Sequence, residues 1–254
     1  MHKNDTNLFS MWDIPLALVL LTRLPLPRLP KNVFARQAGA VWAFPVVGVV
    51  VGLLACAVGW AAMALGLPAT ASAVLLVAAL ITTTGAMHED GLADTVDGFW
   101  GGFTPERRLE IMKDSHIGAY GVLALIFTQL LRVALVAALL SAGNFWAILA
   151  ACIVSRAFMP VVMSALPNAR NSGLSHSVGG PTARTTFMGL GLAIACSALL
   201  LHAGVVVPVS IAALIVAALA GLAKAKINGQ TGDILGATQQ VSELAFLTAA
   251  VAAL

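Results

Sequence analysis

The chain has 254 residues, of which 14 are Lys or Arg and 11 are Asp or Glu, against 59% hydrophobic residues and a mean hydropathy of +0.94. A soluble domain carries roughly a quarter charged residues, so this composition excludes an ordinary water-soluble globule, and with it disorder, coiled coil and collagen. The net charge of +3 is spread thinly instead of forming a nucleic-acid-binding patch, and Cys56, Cys152 and Cys196 sit inside apolar runs with no zinc or disulfide spacing.

The first apolar run, 8–21, carries Asp13 and is too short to cross a bilayer comfortably, which predicts an interfacial or re-entrant helix. No charged start precedes a small-residue cleavage site, so a cleavable signal peptide is not expected. No charged residue lies between Arg36 and His88, a length for two helices near 38–66 and 70–88 with a break at Gly66-Leu67-Pro68. The runs 120–140 and 145–166 come next, separated by Ser141-Ala142-Gly143-Asn144. The uncharged stretch 185–223 accommodates two more helices with a turn near His202-Ala203-Gly204, and 234–254 forms the last. The expected fold is all-α, a polytopic helical membrane protein of about seven transmembrane segments, with residues 1–254 forming one integral membrane domain.

Charge placement tests this layout independently. Setting aside Lys3 and the intramembrane Arg132 and Arg156, the other 11 basic residues fall in alternate connections: Arg23, Arg28, Lys31 and Arg36; Arg107, Arg108 and Lys113; Arg170 and Arg184; Lys224 and Lys226. The intervening connections, near residues 67, 142 and 203, hold no Lys or Arg. The positive-inside rule makes the charged connections cytoplasmic, so the polar chemistry is expected on that face.

Seven of the 11 acidic residues lie between Glu89 and Asp114, and the core of that window reads His88-Glu89-Asp90-Gly91-Leu92-Ala93-Asp94-Thr95-Val96-Asp97-Gly98. Asp90, Asp94 and Asp97 are spaced i, i+4, i+7, so a helix continuing out of the second span carries them on one face. Three carboxylates on one stripe repel one another unless a cation sits between them, and Mg2+ shared with substrate phosphates answers that need. Gly91 and Gly98 weaken a helix but let a bulky ligand approach the backbone. The alternative is a solvated acidic helix end that pairs with Arg107 and Arg108.

Thr104-Pro105-Glu106 has the form of a helix start, predicting a short helix to about Lys113 with Leu109 and Met112 on the membrane face. It would return Lys113, Asp114, Ser115 and His116 toward the stripe, while Glu106 and Glu110 pair with neighbouring cations. His88 and His116 are candidates for phosphate binding or proton transfer, against a plain hydrogen-bonding role. Arg132 and Arg156 either snorkel or line a polar pocket, facing a diphosphate or countering Glu243. The polar connection 167–184 offers Arg170, Ser172, Ser175 and His176 as substrate donors, and Asp233 stands in the glycine-rich turn 228–233.

Four segments, Thr22-Arg23-Leu24-Pro25, the acidic motif 88–98, Glu110-Ile111-Met112-Lys113-Asp114-Ser115-His116-Ile117-Gly118-Ala119-Tyr120-Gly121 and Thr231-Gly232-Asp233-Ile234-Leu235-Gly236-Ala237, closely resemble the cobalamin-5'-phosphate synthase family, CobS, in order over almost the whole chain. The resemblance implies a multi-pass enzyme of the bacterial inner membrane with its active site facing the cytoplasm. It implies joining of adenosylcobinamide-GDP to alpha-ribazole or its 5'-phosphate, with release of GMP and a requirement for Mg2+. Asp94-Thr95-Val96-Asp97-Gly98 also resembles the Asp-x-x-Asp-Gly core of the CDP-alcohol phosphotransferases, but Phe99-Trp100-Gly101-Gly102 stands in place of the Ala-Arg that comes next there.

Phosphotransfer needs the diphosphate charge neutralised and a hydroxyl nucleophile oriented. On this reading Asp90, Asp94 and Asp97 hold Mg2+, and Asp114 completes the metal shell or serves as general base. Lys113, Arg156 or Arg170 stabilises the departing GMP, and His88, His116, Arg170, Ser175 and Asp233 bind substrate. Partners are the two substrates and the lipid bilayer, with no nucleic acid and with room for a homo-oligomer. Two rivals predict other patterns: a transporter would distribute polar residues toward both faces, and an Asp-rich membrane prenyltransferase would carry a second Asp-rich motif where only Asp233 stands.

Overall fold

The computed structural model describes residues 9–254; Lys3 and Leu8 lie outside them. Helix α1, Asp13–Leu21, has nine residues, about 14 Å of rise, too little to cross a bilayer. Asp13 is fully buried and fastens α1 to residues 36–42. It accepts from Arg36 Nε and Nη2, each at 3.1 Å, and from the Trp42 indole at 2.9 Å. The charge that argued against a span is therefore a staple.

Two short 3-10 turns lead into α2, Phe44–Ala64. Gly66 turns the chain at φ 87° into α3, Ala69–Thr84. The next helix, α4, Met87–Gly101, does not continue α3. Gly85 and Ala86 both take left-handed φ, 67° and 59°, and the two axes meet at 87°. The acidic motif thus rides on a helix turned across the end of the second apolar segment, a correction to the continuous helix expected from sequence. Nothing in Thr84-Gly85-Ala86-Met87 interrupts the apolar pattern, which hides the break.

Helix α5, Pro105–Ile111, starts as expected, with the Thr104 hydroxyl accepting from Arg107 N. Then come α6, Ala119–Ser141, and α7, Phe145–Ala165. The short α8, Leu174–Val178, precedes α9, Ala183–Leu201, and α10, Val206–Ile227. From Ala183 to Ile227 the chain is helical for 45 residues, about 68 Å if straight and more than twice a hydrocarbon core of about 30 Å. His202, at φ 51° and ψ −133°, breaks this run. The chain reverses there: Gly189 of α9 lies against Trp42 near the start of α2, and the end of α10 meets α5. Helix α11, Gly232–Val251, completes the chain.

Four helical runs among the described residues are long and apolar enough to span a membrane, or up to five if α3 and α4 count as one broken span. The protein is a polytopic helical membrane protein. Its outward surface is apolar, with Phe127, Leu130, Leu199 and Leu214 exposed as side chains facing lipid are. Between α2 and α7 small residues let the backbones meet: a Cβ on Gly48 would fall 2.4 Å from Cys152 O. The last segment departs from a lipid-facing span. Helix α11 packs against α4, α6, α7 and α10 and buries Thr238, Gln239, Gln240, Ser242 and Glu243.

Candidate active site

The acidic motif and the last glycine turn are brought together by two glycines. Where α4 crosses α11, a Cβ on Gly91 would lie 2.8 Å from Asp233 O and 3.1 Å from Gly236 Cα, and one on Gly236 would lie 3.2 Å from Gly91 Cα. Gly91 therefore admits a helix, not the ligand expected from sequence. Gly98 acts likewise toward α5, where a Cβ would meet Met112 Cγ at 2.3 Å. Met112 is buried in that contact and does not face the membrane.

This crossing sets Asp90 and Asp94 beside Asp233. Asp94 is half-buried and feels three like charges, Asp233, Asp90 and Asp97, against one cation, Arg170. Arg170 Nη2 is paired with Asp233 Oδ2, which also accepts from the Thr231 hydroxyl at 3.1 Å. Asp90 is exposed. A face carrying three carboxylates and one arginine retains surplus negative charge. That donor set suits Mg2+, which takes one or two carboxylates plus substrate phosphates. Among the described residues no three His, Cys, Asp or Glu side chains are already gathered into a metal cluster, so substrate oxygens would have to supply the remaining ligands.

Asp97, the third member of the stripe, is turned to another task. Its carboxylate accepts from Gly118 N at 2.7 Å and Gly121 N at 2.8 Å, satisfying the first amides of α6 and complementing its dipole. A Cβ at either glycine would come within 2.5 Å of a carboxylate oxygen. Asp97 thereby ties the segment before α6 to the acidic helix. That segment carries Asp114 and His116, both exposed, with Asp114 Oδ1 2.7 Å from His116 Nδ1. Their mutual side-chain hydrogen bond holds the Asp114 carboxyl below its ordinary pKa and raises that of His116. Asp114 shares no hydrogen bond with Asp90, Asp94 or Asp97 among the described residues, and Lys113 is exposed beside it.

Other candidate residues are placed more deeply. Ser175 is 4% exposed, its hydroxyl 2.7 Å from Gln230 Oε1 and 3.1 Å from Asn168 Oδ1. Backbone bonds from Ala169 N to Gln230 O and from Gln230 N to Pro167 O, both 2.8 Å, stitch the two polar connections into one unit. His176 is exposed. Arg156 is buried, donates from Nη1 to Cys152 O at 2.9 Å and leaves Nε without a partner. His88 is buried with both ring nitrogens unpartnered.

Some functional-site neighbours escaped sequence reasoning. Glu89, adjacent to Asp90, points the opposite way and meets Arg132 Nη1 at 2.9 Å inside the bundle. Gln240 donates to the same Glu89 oxygen at 3.0 Å, and Gln239 to Glu243 Oε2 at 2.6 Å. Arg107 pairs with Glu110 as expected, but Arg108 instead donates to Gly102 O at 3.0 Å and Lys226 O at 2.9 Å. Lys226 returns the contact by donating to Phe99 O at 2.8 Å, with Nζ 5.0 Å from the Trp100 ring centre. The clamp closes the C-terminus of α10 onto the acidic helix. The i, i+4 spacing of Gln239 and Glu243 is a visible signal and the sequence offers Glu243 as a counter-charge for Arg132, 111 positions away; Glu89, 43 positions from Arg132, is not legible as its second partner.

These features define a polytopic helical membrane protein with a carboxylate-rich polar site where α4 crosses the start of α11. The chain belongs to the cobalamin-5-phosphate synthase family, whose model matches residues 13–251. It is therefore an enzyme, a transferase of cobalamin biosynthesis. A relative from Brucella ovis is 43% identical over 256 residues, covering 94% of this chain and 95% of its own, and is named adenosylcobinamide-GDP ribazoletransferase. A relative from Mesorhizobium japonicum with the same name is 41% identical over 243 residues, covering 95% and 93%. No solved structure matches the chain. Membership in this family sets aside the transporter and prenyltransferase alternatives.

Proposed function

We propose that the protein joins adenosylcobinamide-GDP to alpha-ribazole or its 5'-phosphate, releasing GMP, at a site facing the cytoplasm of a bacterial inner membrane. The observation that carries this reading is the glycine crossing that sets Asp90 and Asp94 against the Asp233–Arg170 pair. Mg2+ held by Asp90 and Asp94, with Asp233, would neutralise the diphosphate and polarise the phosphorus that is attacked. The ribazole 3'-hydroxyl oxygen attacks the phosphorus attached to the cobinamide. The bond from that phosphorus to the bridging oxygen breaks, and GMP departs with that oxygen.

His116 takes the hydroxyl proton at Nε2, which its hydrogen bond to Asp114 through Nδ1 leaves free. Asp97 positions this pair by capping α6. Arg170 and Lys113 stabilise charge on the departing GMP. Arg156, 1% exposed inside the bundle, donates from Nη1 to Cys152 O on its own helix.

The test is to incubate purified protein in detergent with GDP-cobinamide, alpha-ribazole and Mg2+ and to measure GMP and the joined corrinoid. The Asp90→Asn enzyme is expected to lose roughly 100-fold or more in kcat, and chelation of divalent ions to abolish turnover. Well-folded Asp90→Asn with full Mg2+-dependent activity would overturn the metal assignment. No product from folded wild type with either ribazole form would overturn the transferase reading.

A further inference from the structure

The connection 167–184 meets the start of α11 through Arg170, and the contact is lopsided. Arg170 grips Asp233 by one nitrogen, Nη2 on Oδ2, whereas an arginine fully committed to a carboxylate uses two in parallel. Its Nε is buried with no partner, so the desolvation of that donor is uncompensated. Asp233 is better supplied, because Oδ2 also accepts from the Thr231 hydroxyl at 3.1 Å. The guanidinium is therefore held at Asp233 without being satisfied there.

The main chain differs on the two sides of Arg170. Before it, Ala169 N donates to Gln230 O at 2.8 Å and the Gln230 side chain donates to Asn168 Oδ1 at 2.8 Å. Gly229 lies so close that a Cβ there would fall 2.3 Å from Pro167 O. After it, Asn171, Ser172 and Gly173 are exposed, with Gly173 at φ 98°. Arg170 thus stands where a fastened strip passes into an open turn. Rotation about its side-chain torsions carries the guanidinium off Asp233 while the strip stays in place.

Charge decides when that rotation occurs. Asp233 stands with Asp90 and Asp94, so a divalent cation drawn to these carboxylates must share Asp233 with a guanidinium of the same sign. The two cations repel, and each weakens the other's hold. A diphosphate changes the balance, because it offers Arg170 several charge-assisted acceptors and gives Nε a partner.

We propose that Arg170 makes metal binding conditional on the diphosphate. It pairs with Asp233 until a nucleoside diphosphate draws it away, so the divalent ion and the diphosphate enter as one unit and neither is held firmly alone. The assignment rests on the transferase reading above and adds an order of binding to it. By linkage, each of the two ligands strengthens the other by the same factor.

The experiment titrates Mn2+, a paramagnetic substitute for Mg2+, into full-length protein in detergent and follows the free-ion EPR signal. It is run with and without GDP as the diphosphate probe, and Mn2+ taken up by GDP alone is measured without protein and subtracted. In wild type, GDP is expected to tighten Mn2+ binding roughly tenfold. Arg170→Gln is expected to bind Mn2+ alone roughly tenfold more tightly than wild type and to gain little from GDP, with Arg170→Lys between the two. Asp233→Asn should bind Mn2+ nearly alike with and without Arg170→Gln, because the shared carboxylate is gone. A full gain from Arg170→Gln in that background overturns the competition at Asp233. An arginine that only braces the connection would lower the unfolding temperature in Arg170→Gln and leave the Mn2+ constants unmoved, and unmoved constants in the folded variant overturn the proposal. Wild type that shows the GDP dependence but makes no joined corrinoid supports the role of Arg170 and overturns the transferase reading instead.

Discussion

Arg132 on α6 and Glu243 on α11 meet through two nitrogens on one oxygen, Nε at 2.8 Å and Nη2 at 2.5 Å from Oε1. Glu89 adds a second carboxylate to the same guanidinium, so one cation joins three helices. All three side chains are buried. Arg132→Met would strand two buried carboxylates and is expected to cost about 3–5 kcal/mol. Thermal unfolding in detergent should fall steeply, and Glu89→Gln with Glu243→Gln in the same background should restore part of the loss. An unaltered unfolding temperature would show the network to be dispensable.

Gly91→Ala tests the helix crossing. The new methyl group meets Asp233 O at 2.8 Å, so α4 and α11 must part, at a cost of roughly 1–3 kcal/mol. Turnover is expected to fall at least about tenfold without loss of any polar group. Gly232→Ala, whose Cβ meets nothing within 4 Å, should leave the unfolding temperature close to wild type. Equal unfolding temperatures and activities for the two variants would sink the proposal.

Capping and metal binding can be told apart at Asp97. Asp97→Ala leaves the Gly118 and Gly121 amides unsatisfied and should cost about 1–3 kcal/mol, a drop in melting temperature that persists with EDTA present. Asp90→Asn should instead raise the Mg2+ concentration needed for activity and barely move the melting temperature measured without metal. If Asp97→Ala destabilised the protein only with Mg2+ present, the capping role would be wrong.

The pH profile reads the Asp114–His116 pair. His116 must be neutral to accept a proton, so kcat rises with pH through its pKa, which the hydrogen bond to Asp114 holds above the ordinary histidine value. Asp114→Asn removes that support, so the acid limb of the profile should move to lower pH while kcat itself declines through loss of ring orientation. His116→Gln should abolish that limb. A limb unmoved in both variants assigns the proton to another group.

Much of this architecture is legible in the sequence because burial in lipid demands long apolar helices. The helix bounds at 145–165 and the reversal near His202 come from hydropathy and turn residues alone. The motif residues of α4 are equally visible, but their directions are not. An 87° break at Gly85-Ala86 leaves no trace in hydropathy, so the stripe reads as an extension of a span. Asp97 resembles Asp90 and Asp94 in sequence because its partners, the amides of Gly118 and Gly121, are backbone groups that no side-chain pattern reports. Gly91 and Gly98 suggest room for a ligand, since a sequence cannot distinguish close approach by a ligand from close approach by another helix. Arg132 poses the same choice between lipid headgroups and an internal partner, settled only when Glu89 and Glu243 arrive from distant positions.

The polar interior of α11 also bears on how the protein is made. Emerging from the ribosome after the other described helices, this helix is too hydrophilic along the Gln239, Gln240 and Glu243 stripe to dissolve stably in lipid alone. Its lasting home is the groove that the earlier helices have built around Arg132, so membrane insertion and closure of the fold become one event. Until then Arg132 keeps Glu89 but lacks its second carboxylate, Glu243. A chain without α11 would therefore hold this arginine half-partnered within the bilayer.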